Sequence, residues 1–223
     1  MERGLLVNAG MKLVLGLVIV GLLLFWPAGG FHYWNAWLFI ALLFVPMLIL
    51  GLLLLIKAPE LLKKRLNAKE KEATQKRVVA VSALIFIIGF VIAGLDHRFG
   101  WSQLPSWLVT AAAVVQLIAY GLYAEVMREN AYLSRTVEVQ EDQRVIDSGL
   151  YGVVRHPMYA ATILLYLAIP LVLGSVYSLL VFLTYPILIV KRIRNEEAVL
   201  EQGLAGYTDY EKRVRYRLIP FIW

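Results

Sequence analysis

Residues 158–190 read MYAATILLYLAIPLVLGSVYSLLVFLTYPILIV, 33 residues without one formal charge. A bilayer's hydrocarbon core takes roughly 20 apolar helical residues, so this run is too long for one ordinary pass and short for two. Gly174-Ser175 at its centre, preceded by Pro170, reads as a tight hairpin between two helices of about 16 residues, each about 24 Å long. Such short helices must tilt little or sit shielded by longer neighbours, and Pro186 is placed to kink the second.

Working outward, the same apolar character recurs towards the N-terminus. Between Lys12 and Lys57 the chain carries no formal charge, and the break Trp26-Pro27-Ala28-Gly29-Gly30 divides that stretch into spans near Gly10–Trp26 and Tyr33–Ile56. A signal peptide over residues 1–26 would need a small residue three positions before the cut, which Trp26-Pro27-Ala28 lacks. Further spans are predicted at Val78–Leu95 and Trp107–Met127. Composition agrees: of 223 residues 60% are hydrophobic and only 17% charged, with mean hydropathy +0.69. A soluble domain carries about 25% charge, so a soluble globular protein is excluded, as is a disordered chain. The absence of cysteine removes disulfides, thiolate nucleophiles and Cys-based metal centres.

The hairpin decides between five passes and six. With six, Arg3, Lys12, eight Lys/Arg in residues 57–77, four in 128–157 and seven in 191–223 share one side, and Arg98 alone stands opposite. The positive-inside rule makes the basic side cytoplasmic and puts both termini there; a single long helix would carry the basic tail outside. Trp26, Trp34, Trp37, Trp101 and Trp107 then form an aromatic belt at the outer ends. The expected fold is therefore all-α: a polytopic membrane protein of about six transmembrane helices, the last two a hairpin, with residues 1–127 an N-terminal transmembrane unit and 128–223 a core. The net charge of +6 speaks for orientation and anionic headgroups, since no nucleic-acid motif accompanies it. Residues 59–77 read as a short interfacial helix, and the stripe Tyr207, Tyr210, Val214 as an amphipathic helix facing solvent or membrane.

Chemistry concentrates at the two feet of the hairpin. Arg155-His156-Pro157 places an arginine and a histidine before a proline suited to the first helical position, where free backbone N–H groups and the positive end of the helix dipole invite an anion. The plainer reading makes both residues interfacial anchors. At the other foot Ile193, Glu196, Glu197 and Leu200 share one face by the i, i+3, i+4, i+7 rule. A carboxylate on an apolar face needs a cation or a ligand. Arg192, four residues before Glu196, could serve in a simple intrahelical pair; the hairpin also allows Arg155, His156, Tyr159, Arg192 and Glu196 to surround one pocket.

At these residues the chain resembles a known family. Gly149, Tyr151, Arg155-His156-Pro157-Met158-Tyr159, Glu196-Glu197-Ala198-Val199-Leu200, Gly206-Tyr207-Thr208-Asp209-Tyr210 and Arg217-Leu218-Ile219-Pro220 are similar, in order, to the isoprenylcysteine carboxyl methyltransferases, within the wider integral-membrane methyltransferases that include phospholipid N-methyltransferases. The match runs from about Gln140 to Pro220; earlier spans share only hydrophobicity. The resemblance implies methyl transfer from S-adenosyl-L-methionine, held in a cytoplasm-facing pocket, to a lipophilic acceptor from the bilayer: the carboxylate of a prenylcysteine-like molecule or a lipid amine. It implies cofactor contacts from Gln140, Gln143, Arg144, Val145, Ile146, Tyr151, His156, Tyr159 and Glu196, with Glu197 second. Arg192 is implicated at the acceptor, with Arg155 bracing the pocket. An amine acceptor would need a base, for which Glu197 is the candidate.

The cofactor's sulfonium, ammonium, carboxylate, ribose and adenine call for carboxylate, cationic and aromatic partners, the residue types present. His32 and His97 fall on the predicted outer side, away from His156, so no metal site is expected. No Rossmann or phosphate-loop glycine pattern occurs. Two other classes remain open: a nicotinamide-dependent membrane lipid or sterol reductase, because sterol reductases distantly resemble this group, and a non-catalytic membrane protein of the same fold.

Overall fold

The computed structural model describes residues 2–66, 73–134, 136–137 and 139–223. Two long apolar helices, α1 (Glu2–Ala28) and α2 (Trp34–Lys57), open the chain, and a short α3 (Pro59–Leu66) follows. The long helices α4 (Ala73–Phe99) and α5 (Ser106–Glu129) come next. The hairpin begins with α6 (Pro157–Val172) and returns through α7 (Val176–Phe182) and α8 (Tyr185–Gly203), and α9 (Tyr207–Arg213) closes the chain. Among the described residues there is no strand.

Five segments are long and apolar enough to cross a membrane: Gly4–Ala28, Trp34–Lys57, Gln75–Phe99, Ser106–Glu129 and Val176–Gly203. The remaining expected pass, α6, has only 16 residues. It is shielded as the sequence anticipates: Leu165, Ala168, Ile169 and Val172 are buried, and α5 packs along α6 with Ala112 and Ala119 inward. Small residues at such contacts let backbones approach. The chain is thus a polytopic, multi-pass membrane protein.

The hairpin's second arm, Val176–Gly203, is one span, longer than the expected 16 residues. It is interrupted at Leu183-Thr184, where the backbone keeps right-handed helical dihedrals (φ −62°, ψ −15° and φ −76°, ψ −19°), so α7 and α8 meet at the kink expected from Pro186. Proline lacks the N–H that would bond residue 182, and its ring crowds that carbonyl, so the break falls one turn before Pro186. At the hairpin tip Gly174 is left-handed (φ 76°), with Gly174 N–H donating to the Leu171 carbonyl and Ser175 N–H to that of Pro170, 3.1 and 2.9 Å away. This is a Schellman ending, for which glycine is favoured. The start of α2 satisfies other orphan carbonyls there: Tyr33 OH donates to Leu173 O at 2.5 Å and Asn35 Nδ2 to Val172 O at 2.8 Å.

Elsewhere α1 lies close on α4, where a Cβ at Gly94 would come within 2.6 Å of the Leu24 carbonyl. Phe86, Phe90, Tyr166, Phe182 and Tyr185 interlock between α4, α6, α7 and α8. The starts of α1, α4 and α6 and the ends of α2, α5 and α8 form one end of the bundle, which holds α3, the loop after α5 and the C-terminal tail. The expected interfacial helix over residues 59–77 is α3 for its first part, with Leu61 and Leu62 buried and Lys63 exposed; residues 67–72 lie outside the described residues and 73–77 instead open α4.

Candidate functional site

The loop after α5 and the tail after α9 fold together over the feet of the hairpin. Asn130 starts the loop, receiving Tyr132 N–H on Oδ1 and donating from Nδ2 to Tyr151 OH, both at 3.0 Å. Gly149 then turns the chain with φ 56°, and the Glu129 carboxylate accepts Leu150 N–H at 3.0–3.1 Å. A Cβ on Gly149 would overlap that carboxylate, so only glycine combines this φ with this contact. Tyr151, in the 3₁₀ turn Gly149–Gly152, accepts Tyr210 OH on its carbonyl at 2.8 Å. Burial pushes the Tyr151 hydroxyl up to about 12, against the hydrogen bond from Asn130.

At the foot of α6 the expected anion site is replaced by the chain's own groups. Arg155 N–H and His156 N–H donate to the carbonyls of Tyr216 and Arg217, each at 2.9 Å, so the tail takes donors that the sequence left open. Pro157 occupies the first helical position, as predicted. The anion facing Arg155 is Glu197, which is buried and meets Arg155 Nη2 at 2.8 Å, His156 Nε2 at 3.2 Å and Arg217 Nε at 2.7 Å. Arg155 Nη1 also reaches Glu211 at 3.2 Å. Burial raises the Glu211 carboxyl pKa against the pull of Arg155. Arg155 and His156 are therefore buried and internally paired, not interfacial anchors.

One turn of helix away, Tyr159 OH donates to Glu196 Oε2 and accepts from Arg192 Nε at 2.8 Å. The Tyr159 hydroxyl thus stands between the cation and the carboxylate, in the shared pocket the hairpin allows rather than in a simple i, i+4 pair. This triad lines a pocket of about 100 Å³ that opens to solvent.

Of the residues singled out in the sequence, Gln143, Arg144, Val145, Ile146, Tyr151 and Arg155 line this pocket, as do His156, Tyr159, Arg192 and Glu196. Gln140 and Glu197 do not. Gln140 braces the loop, donating from Nε2 to the Tyr132 carbonyl and from its backbone to Gln143 Oε1 at 2.9 Å. Glu197 lies behind the wall, in the ion-pair cluster. The pocket adds residues the sequence passed over, including Tyr132, Ser134 and Leu204, and two it assigned elsewhere, Tyr207 and Tyr210.

The last two correct the expected solvent- or membrane-facing stripe. Tyr207, Tyr210 and Val214 are buried against Leu204, with Val139, Val145 and Leu200 packed on them. The apolar face of α9 is covered by the loop after α5, which periodicity within the tail could not reveal. The Gly206-Tyr207-x-x-Tyr210 spacing was the available signal: Gly206, with φ 82°, opens the helix that carries both rings inward. Among the described residues the buried Tyr207 OH has no hydrogen-bond partner, and burial pushes its pKa up, so it is a neutral hydroxyl at the pocket wall. Among the described residues no His, Asp or Glu group could hold a metal.

The model for the isoprenylcysteine carboxyl methyltransferase family matches residues 109–202, from α5 through Glu196-Glu197. That stretch includes Gly149, Tyr151, Arg155–Tyr159 and Glu196–Leu200 of the resemblance, while Gly206–Tyr210 and Arg217–Pro220 lie beyond it. A Delta(14)-sterol reductase of Mus musculus is 33% identical over 91 residues, 40% of this chain and 22% of that protein. The chain thus spans about a fifth of the length of this curated relative. The solved structure of the eukaryotic intramembrane Ras methyltransferase, an isoprenylcysteine carboxyl methyltransferase, aligns with 95% of this chain and 84% of its own, at 19% identity and a TM-score of 0.48.

Proposed function

We propose, from the family match over residues 109–202 and the pocket it encloses, that the protein transfers a methyl group from S-adenosyl-L-methionine to the carboxylate of a lipophilic, prenylcysteine-like acceptor at the membrane surface. The observation that carries this reading is the Arg192–Tyr159–Glu196 triad, which presents a cation, a hydroxyl and a carboxylate to one pocket.

The donor set fits the cofactor. Glu196 suits the α-ammonium, His156 and the loop side chains of Gln143 and Arg144 suit the carboxylate and ribose, and the unpartnered Tyr207 hydroxyl offers a further polar contact. Val145, Ile146, Leu200 and Leu204 supply an apolar wall for a purine. When bound, the cofactor supplies a methyl group already activated on a sulfonium. The chain's tasks are then positioning and charge placement. Arg192 holds the acceptor carboxylate while Tyr159 fixes its Nε. Arg155 braces the pocket from behind through Glu197 and Glu211.

A carboxylate needs no general base. An amine acceptor would, and the natural candidate, Glu197, already accepts from Arg155, His156 and Arg217. That commitment favours the carboxylate. With the positive-inside rule, the basic end of the bundle, carrying the pocket and both termini, faces the cytoplasm.

The similarity to a sterol reductase favours a second reading, a nicotinamide-dependent reductase built on the same helices. Calorimetry of the purified protein with S-adenosylhomocysteine and, separately, with NADPH distinguishes them. Binding of S-adenosylhomocysteine that weakens in Glu196→Gln and His156→Ala is the expected result. Binding of NADPH alone would replace the proposal with the second reading.

A further inference from the structure

At the end of the bundle opposite the pocket, α1 and α2 leave between them an apolar groove of about 650 Å³. Glycine makes it: Gly21, Gly29 and Gly30 contribute no side chain along one edge, while Phe25, Phe31 and Trp37 form an aromatic wall. The groove extends along α1 from Gly29 to Leu17, about 18 Å at 1.5 Å per residue. That is close to the depth of one leaflet's hydrocarbon, half of about 30 Å.

Its mouth holds Arg98, the lone Lys or Arg between residues 78 and 127. The guanidinium makes no ion pair among the described residues. Its carbon lies 5.5 Å from the Phe99 ring centre, and the side chain runs along Gly29, whose Cβ position would be 3.4 Å from Arg98 Nε. Arg98 is exposed and lies at the entrance of an apolar channel, with its planar fork available to an anion.

We infer that this groove is a phospholipid site: one acyl chain fills the space between α1 and α2 while Arg98 holds the lipid's phosphodiester, in the leaflet opposite the pocket. Charge complementarity selects the occupant. A guanidinium prefers a phosphate oxygen pair at headgroup depth, and the groove below it matches one chain in length and polarity. A neutral lipid would fill the channel and leave the cation unmatched.

The test uses the full-length protein in nanodiscs with phosphatidylglycerol carrying a diazirine in mid-chain, compared with diacylglycerol carrying the same chain. After illumination, mass spectrometry should find phosphatidylglycerol adducts concentrated in residues 17–40. Arg98→Gln should reduce them at least about 10-fold, the scale of one charge-assisted hydrogen bond. Gly21→Leu, whose new Cβ meets nothing closer than the Phe25 ring at 4.0 Å, should block the channel with Arg98 intact. Equal labelling by the diacylglycerol probe, undiminished labelling in Arg98→Gln, or no adducts in residues 17–40 would each overturn the proposal.

Discussion

The guanidinium of Arg155 and the carboxylate of Glu197 meet at 2.8 Å across the two feet of the hairpin, both buried. Neighbouring Glu196 instead reaches Tyr159 at the pocket wall. Two adjacent carboxylates thus hold different positions because a helix turns about 100° between them.

That division predicts different costs. Glu197→Gln leaves Arg155, His156 and Arg217 facing a neutral amide, and breaking a buried pair in this way typically loses about 3–5 kcal/mol. Glu196→Gln should leave unfolding near wild type and weaken S-adenosylhomocysteine binding. Thermal melts and calorimetry on both variants check it; equal destabilisation would erase the distinction.

Arg192→Lys keeps the charge but removes the planar fork that Tyr159 orients. Methyl transfer should fall by roughly 30- to 1000-fold, the equivalent of about 2–4 kcal/mol, with cofactor affinity nearly unchanged. Arg194→Lys, about 200° around α8, serves as the silent control. Initial-rate kinetics beside calorimetry read both; parallel loss of binding and rate would remove Arg192 from the acceptor.

Gly149 and Gly206 are both left-handed, yet a Cβ at Gly206 meets nothing within 4 Å while one at Gly149 strikes Glu129. Gly206→Ala should cost about 1–2 kcal/mol for conformation alone. Gly149→Ala should cost measurably more and also weaken cofactor binding by displacing the loop. Matching melting temperatures would show that the Glu129 contact is dispensable.

The apolar skeleton was legible because bilayer thickness imposes a length on helices that runs of uncharged residues report directly. The long helices end and turn near Lys57, the Trp26–Gly30 break and the Gly174-Ser175 turn, although α1 starts at Glu2, well before the Gly10 that the charge at Lys12 suggested. The kink in the hairpin's second arm was legible too, because Pro186 removes the N–H that would bond residue 182. Within the site, residue types were readable, but the partners of Arg155 were not: Glu197 and Glu211 lie 42 and 56 residues away in sequence. The inward face of α9 was hidden for the same reason, because its cover comes from Val139 and Val145.

At the far end, Asp96 accepts from Ser102 N at 2.6 Å and from Ser102 Oγ and Ser175 Oγ at 2.5 Å, tying α4 to the hairpin tip. Asp96→Ala strands three donors and should cost about 1–3 kcal/mol or more, with no change in cofactor affinity. Urea or thermal unfolding alongside calorimetry measures both; a loss of binding would reveal coupling across the bundle.

The central claim is tested most directly by incubating purified protein with methyl-labelled S-adenosylmethionine and a membrane lipid extract supplemented with a farnesylcysteine, then separating the lipids. The account predicts label in the lipophilic fraction as a base-labile methyl ester, reduced at least about 30-fold by Arg192→Lys. Label that never leaves the aqueous phase, or ester formation that is equal in the variant, would contradict it.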